Sequence, residues 1–579
     1  MRNRGGVVWA SVVMVAGLLA ACRAPMSPGS GARADAFDVV ITDGRIVDGT
    51  GSAWFRGDIG VRGDRIARIA PRGVLAGARA ARRIDAHGMV VAPGFIDIQA
   101  QSYENFMLED GRALSMVTQG ITTAILGEGE TPAPVNDRIL ALVTDTAVRR
   151  LAPRFTGPHG FGQWLDFMTA RGISQNVGSF LGSGTVRSYA KGASTSAFTP
   201  AERDTVRAMV RRAMDDGALG IASALQYPPD NYNTTEDLIE AARAMASSGG
   251  LYITHMRSEG NRLLEAIDEA MRVGREAGVP VEIYHLKASG TENWPKMPRA
   301  IAKIDSARAA GLDVQANMYL YVAGANGFSA CIPPRYAADG NLLRNLRDPA
   351  MRAGIVAGLH TVDPSYDNSC LNAGPDGVMV VGFTKPELLQ YEGKRLSEIA
   401  RLTGKDWAEV IIDFNVAEEA RLSEILFLMN EENVRMQIRL PWIKWGTDAG
   451  SQDPATAKGM THPRAYGDYP RLLGKYVRDE QVIPLEEAIA KATSAVATRL
   501  SIGDRGVLKE GMKADIVVFD PATIGDRATF ETPHQLSVGV QHVLVNGVAV
   551  LRDGVHTGAT PGQVVRGPGW RGSGPVDRR

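Results

Sequence analysis

The sequence predicts an α/β protein: a closed (β/α)8 barrel, the TIM-barrel architecture, with a small composite β-domain drawn from both chain ends. Three observations carry that expectation. Eight short apolar runs alternate with amphipathic helical stretches between residue 92 and about residue 500. Short alternating runs punctuated by Asp-Gly and Gly-Asp pairs fill 37–91 and return over 501–570. At 579 residues the chain is long enough for a barrel and an accessory domain.

The chain opens with Arg2 and Arg4 ahead of an apolar run over 7–19 that ends in Leu19-Ala20-Ala21-Cys22. The run is short for a bilayer span and has the layout of an export signal, so 1–21 reads as a signal peptide. Leu-Ala-Ala-Cys resembles the bacterial lipobox, in which Cys22 becomes the lipidated first residue of the mature chain. The expectation is an exported protein of the bacterial cell envelope or periplasm, anchored by lipid at Cys22; an ordinary signal peptide cut nearby is the alternative. The Pro/Gly/Ser/Ala-rich stretch over 22–36 reads as a flexible tether.

Composition narrows the partners. Lys plus Arg and Asp plus Glu each total 64, so the formal net charge is zero, which argues against nucleic acid and a polybasic membrane surface. Membrane contact is expected through the lipid anchor alone. Three cysteines do not make a disulfide scaffold. Cys331 and Cys370 stay in the mature chain, and the sequence leaves open whether they pair or remain buried thiols.

Of the β-rich ends, 38–41, 45–48 and 58–61 form the first part, and 514–519 and 542–547 the second. They fit one domain assembled from both termini or two separate modules. The barrel runs are 94–98, 122–126, 177–181, 219–224, 251–255, 281–285, 312–318 and 442–447. A doubly wound sheet is the competing arrangement, but eight such runs favour closure. Among the helices, 199–216 places Val206, Met209, Val210 and Ala213 on one face. The segment 329–440 exceeds what a strand-to-helix connection needs and reads as an insertion that shapes the pocket.

Barrel active sites gather at the C-terminal ends of the strands. Glu128 follows the second run, His255 closes the fifth, His285 closes the sixth and Asp448 follows the eighth. One histidine after a strand is usually a hydrogen-bonded structural residue, and one aspartate there is commonly a helix N-cap. Four such residues at equivalent heights, in a chain with nine histidines, point to a metal site instead.

Several segments carry a family resemblance. Val91-Ala92-Pro93-Gly94-Phe95-Ile96-Asp97 resembles the entry to the first barrel strand of the amidohydrolase superfamily. Gly217-Ala218-Leu219-Gly220-Ile221, Thr254-His255-Met256-Arg257, Thr461-His462-Pro463-Arg464 and the run from Gly506 to Asp515 are similar to N-acyl-D-amino-acid deacylases. The resemblance extends from about Phe37 to Trp570. It implies a composite β-sandwich bracketing the barrel, and zinc-dependent hydrolysis of N-acyl-D-amino acids or related amides. It further implies Lys287 as a contact for the substrate carboxylate. By position, Asp448 is the expected general base, and Tyr319 after strand seven is a candidate second contact. His462 and Arg464 are candidate pocket residues, since Arg suits bidentate carboxylate recognition. A loop lysine in solvent and a loop anchor of His462 and Arg464 are the plainer readings.

One departure alters the metal count. The superfamily usually ends strand one in His-x-His, whereas this chain has Gln99-Ala100-Gln101. An amide oxygen is a poor zinc ligand, so a second metal position is not expected. The deacylases commonly place cysteine at the metal on strand two, and here Glu128 matches that position. Glu128, His255 and His285 form a His2Glu set with an open fourth position, the ligand count of a catalytic zinc. One Zn2+ per chain is the expectation. The alternatives are a cyclic amidase or dipeptidase, and a catalytically inactive surface-tethered binding protein. Hydantoinase-type relatives carry a carbamylated lysine bridging two metals, and 219–224 offers no lysine.

Overall fold

The structure, a computed structural model, describes residues 36–572. The export segment and Cys22 lie outside these residues. Eight parallel strands form the centre: β1 (Phe95–Asp97), β2 (Ile121–Leu126), β3 (Asn176–Ser179), β4 (Gly220–Ala224), β5 (Leu251–His255), β6 (Val281–Ile283), β7 (Val314–Met318) and β8 (Ile443–Trp445). Nearly every residue in them is buried, as expected of strands covered on both faces.

β1, β2 and β3 pair in parallel. β4 to β8 form a second parallel sheet in chain order, with the short strand Leu181–Gly182 at its β4 edge. Hydrogen bonds join the two sheets at both margins. At one margin Leu219 N, at the entry to β4, donates to Ser179 O of β3 at 3.0 Å. Across the other margin Asp448 N donates to Gln99 O at 2.8 Å and Gln101 N to Ala449 O at 2.9 Å. That second pair brings the ends of β8 and β1, and the residues that follow them, side by side.

The helices lie between these strands. Pro200–Asp215 begins with Thr199 as N-cap in a capping box with Glu202, so the first-turn N–H groups are satisfied from the side chains. It buries Val206, Met209, Val210 and Ala213, the predicted face, together with Met214.

The two chain ends are hydrogen-bonded into one nine-stranded sheet. Val90–Pro93, which leads into β1, pairs antiparallel with Ile516–Phe519. The core reflects that pairing, since Val517, Phe519, Val543 and Val545 belong to the same hydrophobic cluster as Phe95, Ile121 and Val177.

Between β7 and β8 the strands Gly324–Gly327, Val378–Val381 and Ser423–Leu426 make a separate antiparallel sheet. This excursion has its own core, with Phe328, Ile355, Leu396, Ile411 and Phe414. It starts ahead of residue 329, and it ends before 440, because Val434 and Ile438 of the helix Glu431–Ile438 pack into the main core instead. Cys331 and Cys370 form a disulfide within it, with Cα atoms 5.6 Å apart.

Candidate metal centre and active site

A cavity of about 500 Å³ opens at the C-terminal ends of the strands, between them and the antiparallel sheet of the excursion. Glu128, His255, His285, Lys287, Tyr319, Asp448, His462 and Arg464 all line it. Eight side chains separated by up to 336 residues in sequence, from Glu128 to Arg464, thus line one cavity.

Glu128 sits one residue beyond Gly127, whose φ of +109° and close approach to Phe180 O leave no room for a Cβ. That bend turns the Glu128 carboxylate inward. Its Oε1 lies 3.2 Å from His255 Nδ1 and 3.0 Å from His285 Nε2. The ligand atoms of the three residues fall within 4.8 Å of one another. The other oxygen, Oε2, accepts from Gln99 Nε2 at 2.6 Å and from Gln101 Nε2 at 2.8 Å. One carboxylate oxygen therefore faces the histidines while two amides hold the other.

Electrostatics favour a cation among these groups. Burial works to raise the Glu128 carboxyl, but the two histidines hold it well below the usual carboxylate range. At His285, burial and Lys287 push downward, yet Glu259 and Glu128 carry the ring up to about 9. A metal ion and a proton compete for such a nitrogen. Two imidazole nitrogens and one carboxylate oxygen suit zinc in ligand type and number. His285 also has a positive φ, +30°, and its N–H donates to Asn317 Oδ1 of β7 at 2.8 Å.

Asp448 has φ +48° and caps no helix; its carboxylate meets Arg464 Nη1 at 2.8 Å. Burial and Glu128 raise its carboxyl, and Arg464 only partly opposes them. Lys287 is buried rather than solvated, and its Nζ donates to Glu259 Oε1 at 2.6 Å. Arg464 stacks over the Tyr319 ring at 4.5 Å, and its Nε is buried with no acceptor among the described residues. His462 lines the cavity while also pinning the loop: its Nε2 meets Ala323 O at 2.9 Å and its Nδ1 accepts from Arg464 N at 3.0 Å.

Three features escaped the sequence reading. Glu259 contacts Lys287 and His285 at the site, and Asp367 reaches in from the excursion to accept from Glu259 N at 2.7 Å. The glutamines of strand one act as donors to Glu128. Glu259 and Asp367 lie in loops where no periodicity singles them out.

The profile of the Amidohydrolase family matches residues 393–551. A D-aminoacylase of Alcaligenes xylosoxydans xylosoxydans is 33% identical over 91% of this chain and 97% of its own length. An N-acyl-D-glutamate deacylase of the same organism is 31% identical over 91% and 96%. Among solved structures, the N-acyl-D-glutamate deacylase of Bordetella bronchiseptica, with zinc and a phosphonate mimic of the tetrahedral intermediate, is 30% identical. It superposes with a TM-score of 0.75 over 92% of this chain and 99% of its own. A family match together with relatives of 30% identity or more over nearly the whole chain makes this protein a metal-dependent amidohydrolase. Within that class, the chain belongs to the D-aminoacylase family.

Proposed function

We propose that this protein hydrolyses the amide bond of N-acyl-D-amino acids, using one zinc ion held by Glu128, His255 and His285. The convergence of those three ligands in a cavity that also contains Asp448, Lys287 and Arg464 carries the reading. Relatives of at least 30% identity over nearly the whole chain are D-aminoacylases and N-acyl-D-glutamate and N-acyl-D-aspartate deacylases. β1 to β8 are read as one closed (β/α)8 barrel, supported by the hydrogen bonds at both margins of the parallel sheets. The end strands are read as a small sandwich, folded at the register shift between Ile41 and Gly44.

A zinc ion at this position supplies Lewis acidity toward water and toward the amide carbonyl. Asp448 takes a proton from the attacking water and delivers it to the departing amine nitrogen. Lys287, Tyr319 and Arg464 orient the substrate carboxylate, for which Arg464 Nε offers a buried donor. The single-metal reading is supported by Gln99 and Gln101. Their amides occupy Glu128 Oε2, the oxygen a second cation on that side would need.

The test couples elemental analysis with a panel of N-acyl D- and L-amino acids, a dipeptide and a hydantoin. About one zinc per chain and turnover of the N-acyl-D-amino acids are expected. Two tightly held zinc ions would overturn the one-metal reading. A zinc-loaded, folded protein that cleaves only the cyclic amide or the dipeptide, or none of the panel, would overturn the activity.

A further inference from the structure

We propose that Glu259 is a positioning residue that fixes the proton pattern of His285, keeping its metal-facing nitrogen free to bind; this rests on the metal site read above. His255 Nδ1 and His285 Nε2 face Glu128 Oε1. A neutral imidazole that offers one nitrogen to a cation carries its proton on the other. Those other nitrogens both turn toward Glu259. His285 Nδ1 lies 2.9 Å from Glu259 Oε1 and His255 Nε2 lies 3.9 Å from Oε2. His255 Nε2 is buried and, among the described residues, makes no hydrogen bond, so the carboxylate acts directly on His285 alone.

At His285 the carboxylate resolves a conflict. Lys287 Nζ stands 2.8 Å from His285 Nδ1, and an ammonium group only donates. Left to themselves, Lys287 would donate to Nδ1, which places the ring proton on Nε2, the nitrogen that faces the metal position. Glu259 Oε1 is within reach of both groups, 2.6 Å from Lys287 Nζ and 2.9 Å from Nδ1. It accepts from each, so Nδ1 stays a donor and Nε2 stays free. Carboxylates set behind metal-binding histidines generally act in this way.

The excursion holds Glu259 in place. Asp367 Oδ2 accepts from Glu259 N at 2.7 Å and Gly260 N at 3.0 Å, while its Oδ1 accepts from Ser258 Oγ at 2.8 Å. If Glu259 served only as the counter-ion of Lys287, its loss would weaken folding and leave zinc affinity alone.

The experiment measures zinc affinity by chelator competition at fixed pH, with the melting temperature of the metal-free protein as control. Glu259→Ala is expected to bind zinc about 10- to 100-fold more weakly. In the Glu259→Ala, Lys287→Met double variant the competing donor is gone, so affinity recovers in part. Glu259→Gln keeps an acceptor of similar shape and is expected to lose less, which provides a reading if the alanine variant does not fold. Wild-type affinity in folded Glu259→Ala or, failing that protein, no loss in Glu259→Gln would overturn the proposal. So would a double variant no better than Glu259→Ala. A wild-type protein that binds no zinc would overturn the metal-site reading and this proposal with it.

Discussion

At the scale of single residues, Asp448 divides two roles cleanly. A helix cap would tolerate asparagine, because Asn caps nearly as well as Asp. Asp448 caps nothing; it is buried opposite Arg464 with a raised carboxyl pKa, in a left-handed backbone conformation that a non-glycine residue seldom adopts. Such strain is commonly retained where a side chain must be aimed. Asp448→Asn removes the proton acceptor and keeps the shape, so kcat should fall by about 10²- to 10⁴-fold. Zinc content should remain at the wild-type level, because Asp448 lies outside the cluster of Glu128, His255 and His285. Turnover near wild type by the folded, zinc-loaded variant would remove Asp448 from the reaction.

At the scale of elements, the strand-end residues were legible because each closes an apolar run whose period and burial place it at the mouth. Glu128, His255, His285 and Asp448 needed only that rule to be gathered. Loops obey no such period, which is why Glu259 and Asp367 went unseen. The disulfide was equally hidden, since 39 residues of separation say nothing about Cα distance. The excursion also conceals Glu424, a buried carboxyl whose oxygens lie 3.2 to 3.4 Å from Cys331 Sγ and Cys370 Sγ. Sulfurs joined in a disulfide have no proton to donate. An ionised Glu424 would meet only lone pairs, whereas a protonated one can donate to sulfur. Burial accordingly pushes its pKa well above the usual value. The sign follows from linkage. The folded state holds this proton more tightly than the unfolded chain, so its contribution is complete below about pH 4.5 and is lost as pH rises toward the folded pKa. Glu424→Gln abolishes that loss. Its melting temperature relative to wild type should climb between pH 4.5 and 8, with each unit of raised pKa equivalent to about 1.4 kcal/mol. A pH-independent difference would show that Glu424 is ionised in the folded protein.

At the scale of the whole molecule, the end strands and the parallel strands share one core. The sequence pattern marked β-rich ends but could not decide between one module and two. Strand partners are chosen by three-dimensional packing, and either arrangement satisfies the alternation. In the structure Val90–Pro93 has Ile516–Phe519 as its antiparallel neighbour, and Val517, Phe519, Val540, Val543 and Val545 pack in the cluster that holds β1, β2 and β3. Burying each such side chain is worth about 1.5–3 kcal/mol. Losing all five would remove roughly 7–15 kcal/mol, comparable with the roughly 5–15 kcal/mol that stabilises a typical domain. A chain stopped after Leu500 retains all eight parallel strands and every proposed ligand. If those strands formed an independent unit, it would fold and bind zinc. The shared core predicts the opposite: the truncated chain should be insoluble or lack a cooperative melting transition, with Val90–Pro93 left as an exposed apolar edge. Soluble, zinc-binding protein with a single melting transition would show that the end sheet is dispensable for folding.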